Sequence, residues 1–161
     1  MANIVEISLQ IGKNLGQLGA FCDTGFALAV HIRFTSPSLL YRTYGSDWIE
    51  FYSAQGFMLQ DPVVRWGLAH QGSVTWGALG STDPAGVIAA SVAHGLTNGW
   101  TYSTGPANSR TLSGFTKSGV PFSDDEMDQI RAIVKKIHDL TEGIEHFSAA
   151  DLTTLRALAP A

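Results

Sequence analysis

Residues 44–64 read YGSDWIEFYSAQGFMLQDPVV, and they set two tyrosines, a tryptophan and three acids among apolar and small neighbours. Ser46 or Asp47 is a ready cap for a helix, and Gly56 stops it. That helix carries Trp48, Phe51, Tyr52 and Gln55 on one side, with Trp48 and Tyr52 four residues apart on a shared face. Asp61-Pro62 then starts a second short helix through His70, with the aspartate as cap and the proline in the first turn.

Working outward from this segment, the preceding chain opens with "NIVEISLQIGKNLGQLGAFC". Its apolar residues Ile4, Ile7, Ile11, Leu15 and Leu18 fall at helical spacing. "GFALAVHIRFTSPS" is an apolar, aromatic and β-branched run ended by Ser-Pro, so it predicts a strand of a sheet buried on at least one face. On the other side, "GSVTWGAL" is a short strand that delivers Trp76. "STDPAGVIAASVAHGLTNG" has a cap, an Asp-Pro start and helical spacing, which predicts a helix over about 83–95. "WTYSTGPANSRTLSGFTKSG" is a hairpin turning at "GPANS". "FSDDEMDQIRAIVKKIHDLTEGIEHF" carries a capping box in Ser123 and Glu126 and a stripe of Met127, Ile130, Val134 and Ile137. The order of elements lacks βα alternation. It fits an α+β fold, an α-β-α sandwich whose antiparallel sheet has helices on both faces.

The bulk properties narrow the function classes. A chain of 161 residues with 45% hydrophobic content is one domain with a sizeable core. No window approaches the roughly 20 apolar residues of a membrane span, and the N-terminus does not resemble a secretory leader, so the expected place is the cytoplasm, away from membrane. Net charge is −4 and the ten basic residues are scattered, which argues against nucleic-acid binding by this chain. Cys22 has no partner and belongs in the core. The histidines at 31, 70, 94, 138 and 146 never pair at i, i+4, and no HExxH occurs, so no metal is expected; His31 in its strand is read as half-buried or on the surface. With no GxSxG elbow, no phosphate loop and no Cys/His signature, no catalytic residue and no cofactor is assigned, and the chain is not read as an enzyme.

Binding chemistry remains. If Tyr44, Trp48, Asp61 and Trp76 converge, they offer indole N–H donors, a phenol that both donates and accepts, and a carboxylate that accepts. Such a set suits a ligand with an amide and a second carbonyl. Tyr52, Phe57, Met58, Val63 and Val64 are the candidate apolar wall for a tail. Against this stands the plain reading of an Asp-Pro cap and core tryptophans.

Taken jointly, Tyr44, Trp48, Tyr52, Gly56, Asp61-Pro62, Trp76, Gly95 and Gly99 resemble the N-acyl-homoserine-lactone-binding, or autoinducer-binding, domain of LuxR-type quorum-sensing regulators. The resemblance is clearest over residues 44–116. It implies a five-stranded antiparallel sheet and a layer of helices that enclose the ligand. By that likeness Trp48 binds the lactone carbonyl, Asp61 takes the amide N–H, and Tyr44 donates to the amide carbonyl. Trp76 packs against the lactone ring, Tyr52 lines the acyl site, and Thr116 is the Ser/Thr that helps bind the amide carbonyl. Ser73 stands where the family usually has proline. Ile49 and Val63 stand at positions that are polar in some members, which leaves fewer donors near the amide.

The same resemblance divides the chain into an autoinducer-binding domain at 1–148 and, at 149–161, a stub of linker or the start of a helix-turn-helix domain. It implies a homodimer, or a heterodimer with a full-length regulator, and no DNA contact by this chain alone. The expected mechanism is ligand-gated folding: a buried carboxylate without a partner carries a desolvation penalty, which ligand relieves. A truncated decoy that pairs with full-length regulators, and an orphan sensor for a non-lactone ligand, are the alternatives.

Overall fold

The computed structural model describes residues 3–34 and 36–158; Met1, Ala2, Thr35 and the last three residues of the expected 149–161 stub lie outside the described residues. The chain runs α1 (Ile4–Phe21), β1 (Gly25–Arg33), β2 (Ser36–Arg42), α2 (Ser46–Ala54), α3 (Pro62–Ala69), β3 (Gly72–Thr75), α4 (Val87–Ala93), β4 (Trp100–Thr104), β5 (Arg110–Thr116), α5 (Asp124–Leu140) and α6 (Ala149–Arg156). Short 3-10 turns lie at Phe57–Leu59, Gly77–Thr82 and Ile144–His146. The strands form one five-stranded antiparallel sheet in the order β2-β1-β5-β4-β3. This is the α+β sandwich that the sequence predicts.

Side chains alternate across a strand, and here the alternation separates large from small. Phe26, Leu28 and Val30 of β1, Trp100 of β4 and Phe115 of β5 enter the main core with Ile11, Leu15 and Leu18 of α1 and Ile130, Val134 and Ile137 of α5. The intervening positions are Ala27 and Ala29, Thr101 and Ser103, and Gly114, with Leu112 the large exception that meets α3 at Gly67. A sheet face of small residues leaves depth for something to lie on it. α3 uses that depth: Ser103 Oγ donates to the Gly67 carbonyl at 2.7 Å, and a methyl on Gly67 would fall 2.0 Å from Leu112 Cδ1.

The capping box of α5 is present, with Ser123 and Glu126 exchanging side-chain and backbone bonds. Cys22 is buried, and burial pushes its thiol up to about 12, as a core cysteine requires. Four local readings change. Neither Ser46 nor Asp47 caps α2, which begins at Ser46 with Gly45 at its N-cap and no side-chain cap bond. "SPSLLYR", whose Ser-Pro reads as the end of β1, forms β2 instead, pairing antiparallel with β1 from Ala27↔Arg42 to Arg33↔Ser36. Pro37 is tolerated because β2 is an edge strand. The helix expected over about 83–95 starts late: Gly86, at φ 73°, interrupts it, and α4 begins at Val87 with Asp83 reaching over to accept from the Val87 and Ile88 N–H groups.

His31 is buried, not half-buried or surface. The β1–β5 register shifts between Ala29 and Ile32, and His31 sits in that bulge at φ 48°. Its ring stacks on His138 of α5 at 4.2 Å and bonds to Ser109 Oγ and the His138 carbonyl. A bulge re-aims a side chain, which period-two counting along the strand does not anticipate.

Residues 149–156 form α6, whose Leu155 is fully buried in the main core, while the Tyr41 hydroxyl donates to the Leu155 carbonyl at 2.8 Å. No helix among the described residues is long and apolar enough to cross a membrane.

Candidate functional site

Tyr44 follows β2 and lies against the start of β1, where Gly25 takes φ 116°; a Cβ on Gly25 would be 2.7 Å from Tyr44 Cδ1. The Tyr44 hydroxyl donates to the Gly114 carbonyl at 3.2 Å. One helical turn onward, Trp48 is buried on the inner side of α2 and meets Tyr52 edge-on, with ring centres 5.7 Å apart. Phe57, Val87 and Leu96 complete a second apolar cluster around it, with Tyr44, Phe51 and Tyr52 packed against its border.

Asp61 caps α3 as expected, its Oδ1 accepting the Val63 N–H at 2.9 Å. Its Oδ2 accepts the Tyr52 hydroxyl at 2.8 Å. Asp61 as a residue is 8% exposed. It is therefore buried but not unpaired, which corrects the premise that a ligand is needed to relieve it. Burial raises its affinity for a proton, and the Tyr52 and Val63 bonds oppose that shift. Burial also raises both phenols, Tyr44 and Tyr52, with Asp61's charge adding to the effect, so each stays a protonated donor.

Trp76 follows β3 and lies flat on the small-residue face of the sheet. A Cβ on Gly99 would fall 2.2 Å from Trp76 Cδ2, and one on Gly114 would fall 3.3 Å from Trp76 Cζ2 and 3.4 Å from the Tyr44 hydroxyl. Trp76 and Tyr44 thus converge over Gly114, and the Trp76 N–H donates to Thr101 Oγ1 at 3.0 Å.

The fold therefore brings Tyr44, Trp48, Tyr52, Asp61 and Trp76 into one neighbourhood, with Val63 tied to it through the Asp61 cap. Thr116 pairs with Gly25 beside the seat of Tyr44, but its hydroxyl donates to the Gly25 carbonyl and accepts from Thr24. Two residues the sequence reading left out belong here. Thr101 orients Trp76. His94, weighed only as a metal ligand, stacks 5.1 Å from Trp48 and 4.9 Å from Phe51, its Nδ1 held by the Ala90 carbonyl. Its place at the end of α4, one residue before Gly95, is the signal that pointed to it.

Aromatic rings, protonated phenols and a buried carboxylate beside a largely small-residue sheet face make a candidate ligand site in an α-β-α sandwich, and the described residues hold no cluster of metal-ligating side chains. Residues 25–140 match the family described as autoinducer binding domain, and the chain belongs to that family. The class is therefore a domain that binds a small-molecule autoinducer. Its fold is shared with a crystal structure of Escherichia coli SdiA at a TM-score of 0.64 and 23% identity, covering 93% of this chain and 69% of that one. SdiA in complex with octanoyl-rac-glycerol gives 0.63 at 23% identity, with 93% and 67% covered. The N-acylhomoserine-lactone-dependent LuxR-family transcription factor CepR2 of Burkholderia cenocepacia gives 0.56 at 13% identity, with 92% and 98% covered. No curated protein sequence matches the chain significantly.

Proposed function

We propose that this domain binds an N-acyl-homoserine lactone between the small-residue face of the sheet and α2–α4. The observation that carries the reading is the Asp61 carboxylate, buried and already oriented by Tyr52 and Val63 beside Trp48. An ionised carboxylate has acceptor capacity left after two bonds, and the ligand amide N–H takes it. The Trp48 N–H donates to the lactone carbonyl. Tyr44 exchanges its bond to Gly114 for one to the amide carbonyl, and Trp76 packs on the lactone ring.

Because Asp61 has internal partners, polar relief is not the main source of ligand stabilisation. Apolar burial of the tail supplies it, at about 0.8 kcal/mol per CH₂ until the space is filled. The stabilised domain then supports dimerisation.

SdiA's complex with octanoyl-rac-glycerol favours one second reading, an acyl ester with hydroxyls in place of the lactone amide. A hydroxyl also donates to a carboxylate, but the ester has no N–H. Thermal unfolding against lactones of increasing acyl length, with and without a 3-oxo group, and against octanoylglycerol, separates the two. A saturable rise in Tm peaking at one lactone length supports the proposal. A rise with octanoylglycerol alone replaces it with the ester reading, and a flat response to every compound overturns both.

A further inference from the structure

α1 turns Ile7, Ile11, Leu15 and Leu18 into the main core, and its opposite face carries Val5, Leu9, Gly12 and Gly16. At about 3.6 residues per turn these four fall within about 60° of the helix circumference. Val5 is 65% and Leu9 71% exposed, one turn apart. Gly12 and Gly16 look onto open space, since a Cβ built on either has no atom within 4 Å. Nothing within the chain requires glycine there, yet glycine inside a helix weakens it relative to alanine. Single apolar side chains on a surface are ordinary, but two in line with two glycines that the fold does not need are an unpartnered seam.

The seam is complementary to itself. Its intervals of four, three and four residues are those of a coiled-coil contact line, and they are symmetric about the midpoint between Gln10 and Ile11. The two bulky members lie on one side of that midpoint and the two hollows on the other. When a second α1 packs antiparallel across it, Val5 meets the partner's Gly16 and Leu9 meets the partner's Gly12, each side chain over a position that has none. Charge follows the same symmetry. Glu6 and Lys13 lie on one edge of the seam, both exposed, and neither forms an ion pair among the described residues. The antiparallel pair sets Glu6 about 3 Å along the axis from the partner's Lys13, and Lys13 likewise from the partner's Glu6. A parallel pair would instead set Leu9 against its own copy and bring like charges together.

We propose that the face of α1 bearing Val5, Leu9, Gly12 and Gly16 is an interface for a second copy of this chain, formed as an antiparallel α1–α1 pair about a twofold axis. Val5 and Leu9 are the knobs, and the glycines are holes that let the two helices approach closely. The Glu6–Lys13 pairs fix orientation more than they add affinity. One helix pair buries less than the roughly 1,200 Å² of a standard interface. The dimer is therefore weak, with a dissociation constant on the order of 10–1,000 µM. The seam shares no residue with the cluster around Trp48, so it does not depend on the lactone reading.

The test is sedimentation equilibrium of the ligand-free chain from about 10 µM to about 1 mM, where a reversible monomer–dimer equilibrium is expected. Gly12→Leu fills the hole that receives the partner's Leu9, and Leu9→Gln removes the knob; each weakens association at least about tenfold. Both changes fall on the open face, so both variants melt no lower than the parent, and a melt run beside each sample checks this. Glu6→Lys weakens the dimer about fivefold, and adding Lys13→Glu restores it. A chain that stays monomeric throughout, association that runs past a dimer, or an unchanged dimer in Gly12→Leu or Leu9→Gln overturns the proposal. A loss in Glu6→Lys that Lys13→Glu does not restore overturns it as well. The lactone-induced shift in Tm is the same in Leu9→Gln as in the parent, so failure of the interface and failure of the lactone site are read separately.

Discussion

Asp61 serves two masters in this structure: Oδ1 caps α3 through Val63, and Oδ2 holds the Tyr52 hydroxyl. Asparagine keeps the cap, since its carbonyl accepts in the same place, but it carries no charge to desolvate. Asp61→Asn is therefore expected to leave the ligand-free stability within about 1 kcal/mol of the parent, or raise it, while the lactone-induced shift in Tm is lost. Glu50→Gln on the exposed side of α2 is the control that keeps it. A parallel set of melts with and without ligand decides this, and an unchanged shift in Asp61→Asn removes Asp61 from the site. Gly99 gives the complementary case. A methyl there collides with the Trp76 indole at 2.2 Å, a rigid ring rather than a flexible tail. Gly99→Ala is expected to displace Trp76, to cost about 1–3 kcal/mol by overpacking, and to lower the ligand response. Trp76 fluorescence and melts check it.

At the scale of elements, α4 depends on a cap the sequence places only approximately. Asp83 bonds the Val87 and Ile88 N–H groups from outside the helix, across Pro84, Ala85 and Gly86. The Asp-Pro start signal is real, but Gly86 in the left-handed region delays the first turn. Asp83→Ala removes both bonds and is expected to cost about 1 kcal/mol. Because α4 carries Val87 and ends at His94 against Trp48, ligand affinity falls with stability; urea unfolding measured alongside lactone titration reads both. α1, α5 and the β4–β5 hairpin were legible because their signals are local: a 3.6-residue stripe, a capping box, a turn. β2 was not, since its Pro37 reads as a break and only its position at the sheet edge makes it tolerable.

For the molecule as a whole, α5 is joined to the β1 bulge through the His31–His138 stack, and Thr111 Oγ1 bonds His138 Nδ1 at 2.6 Å. Burial first, and His31 beside it second, hold His138 down to about 4 from its ordinary 6.5. The unfolded chain therefore binds this proton at higher pH than the folded one. Stability is at its full value above about pH 6.5 and falls as pH drops from 6.5 toward 4. Melts at pH 7.5 and pH 5 are expected to show the fall, and His138→Gln to flatten it; equal slopes assign the acid lability to other groups. The sequence by itself determined the types and order of most elements and the buried stripes of α1 and α5, because spacing along a helix and cap chemistry are short-range, whereas Tyr44, Trp48, Tyr52, Asp61 and Trp76 stood out only jointly, through a family resemblance. Only the tertiary structure decided that Tyr52 and Gly114 occupy the Asp61 and Tyr44 partners, that Thr116 spends its hydroxyl on Gly25, that His94 joins the aromatic cluster and that His31 turns inward. Each of those depends on groups from separate elements meeting across the sheet, where the free energy lies in hydrogen bonds and packing between distant residues rather than in any local pattern.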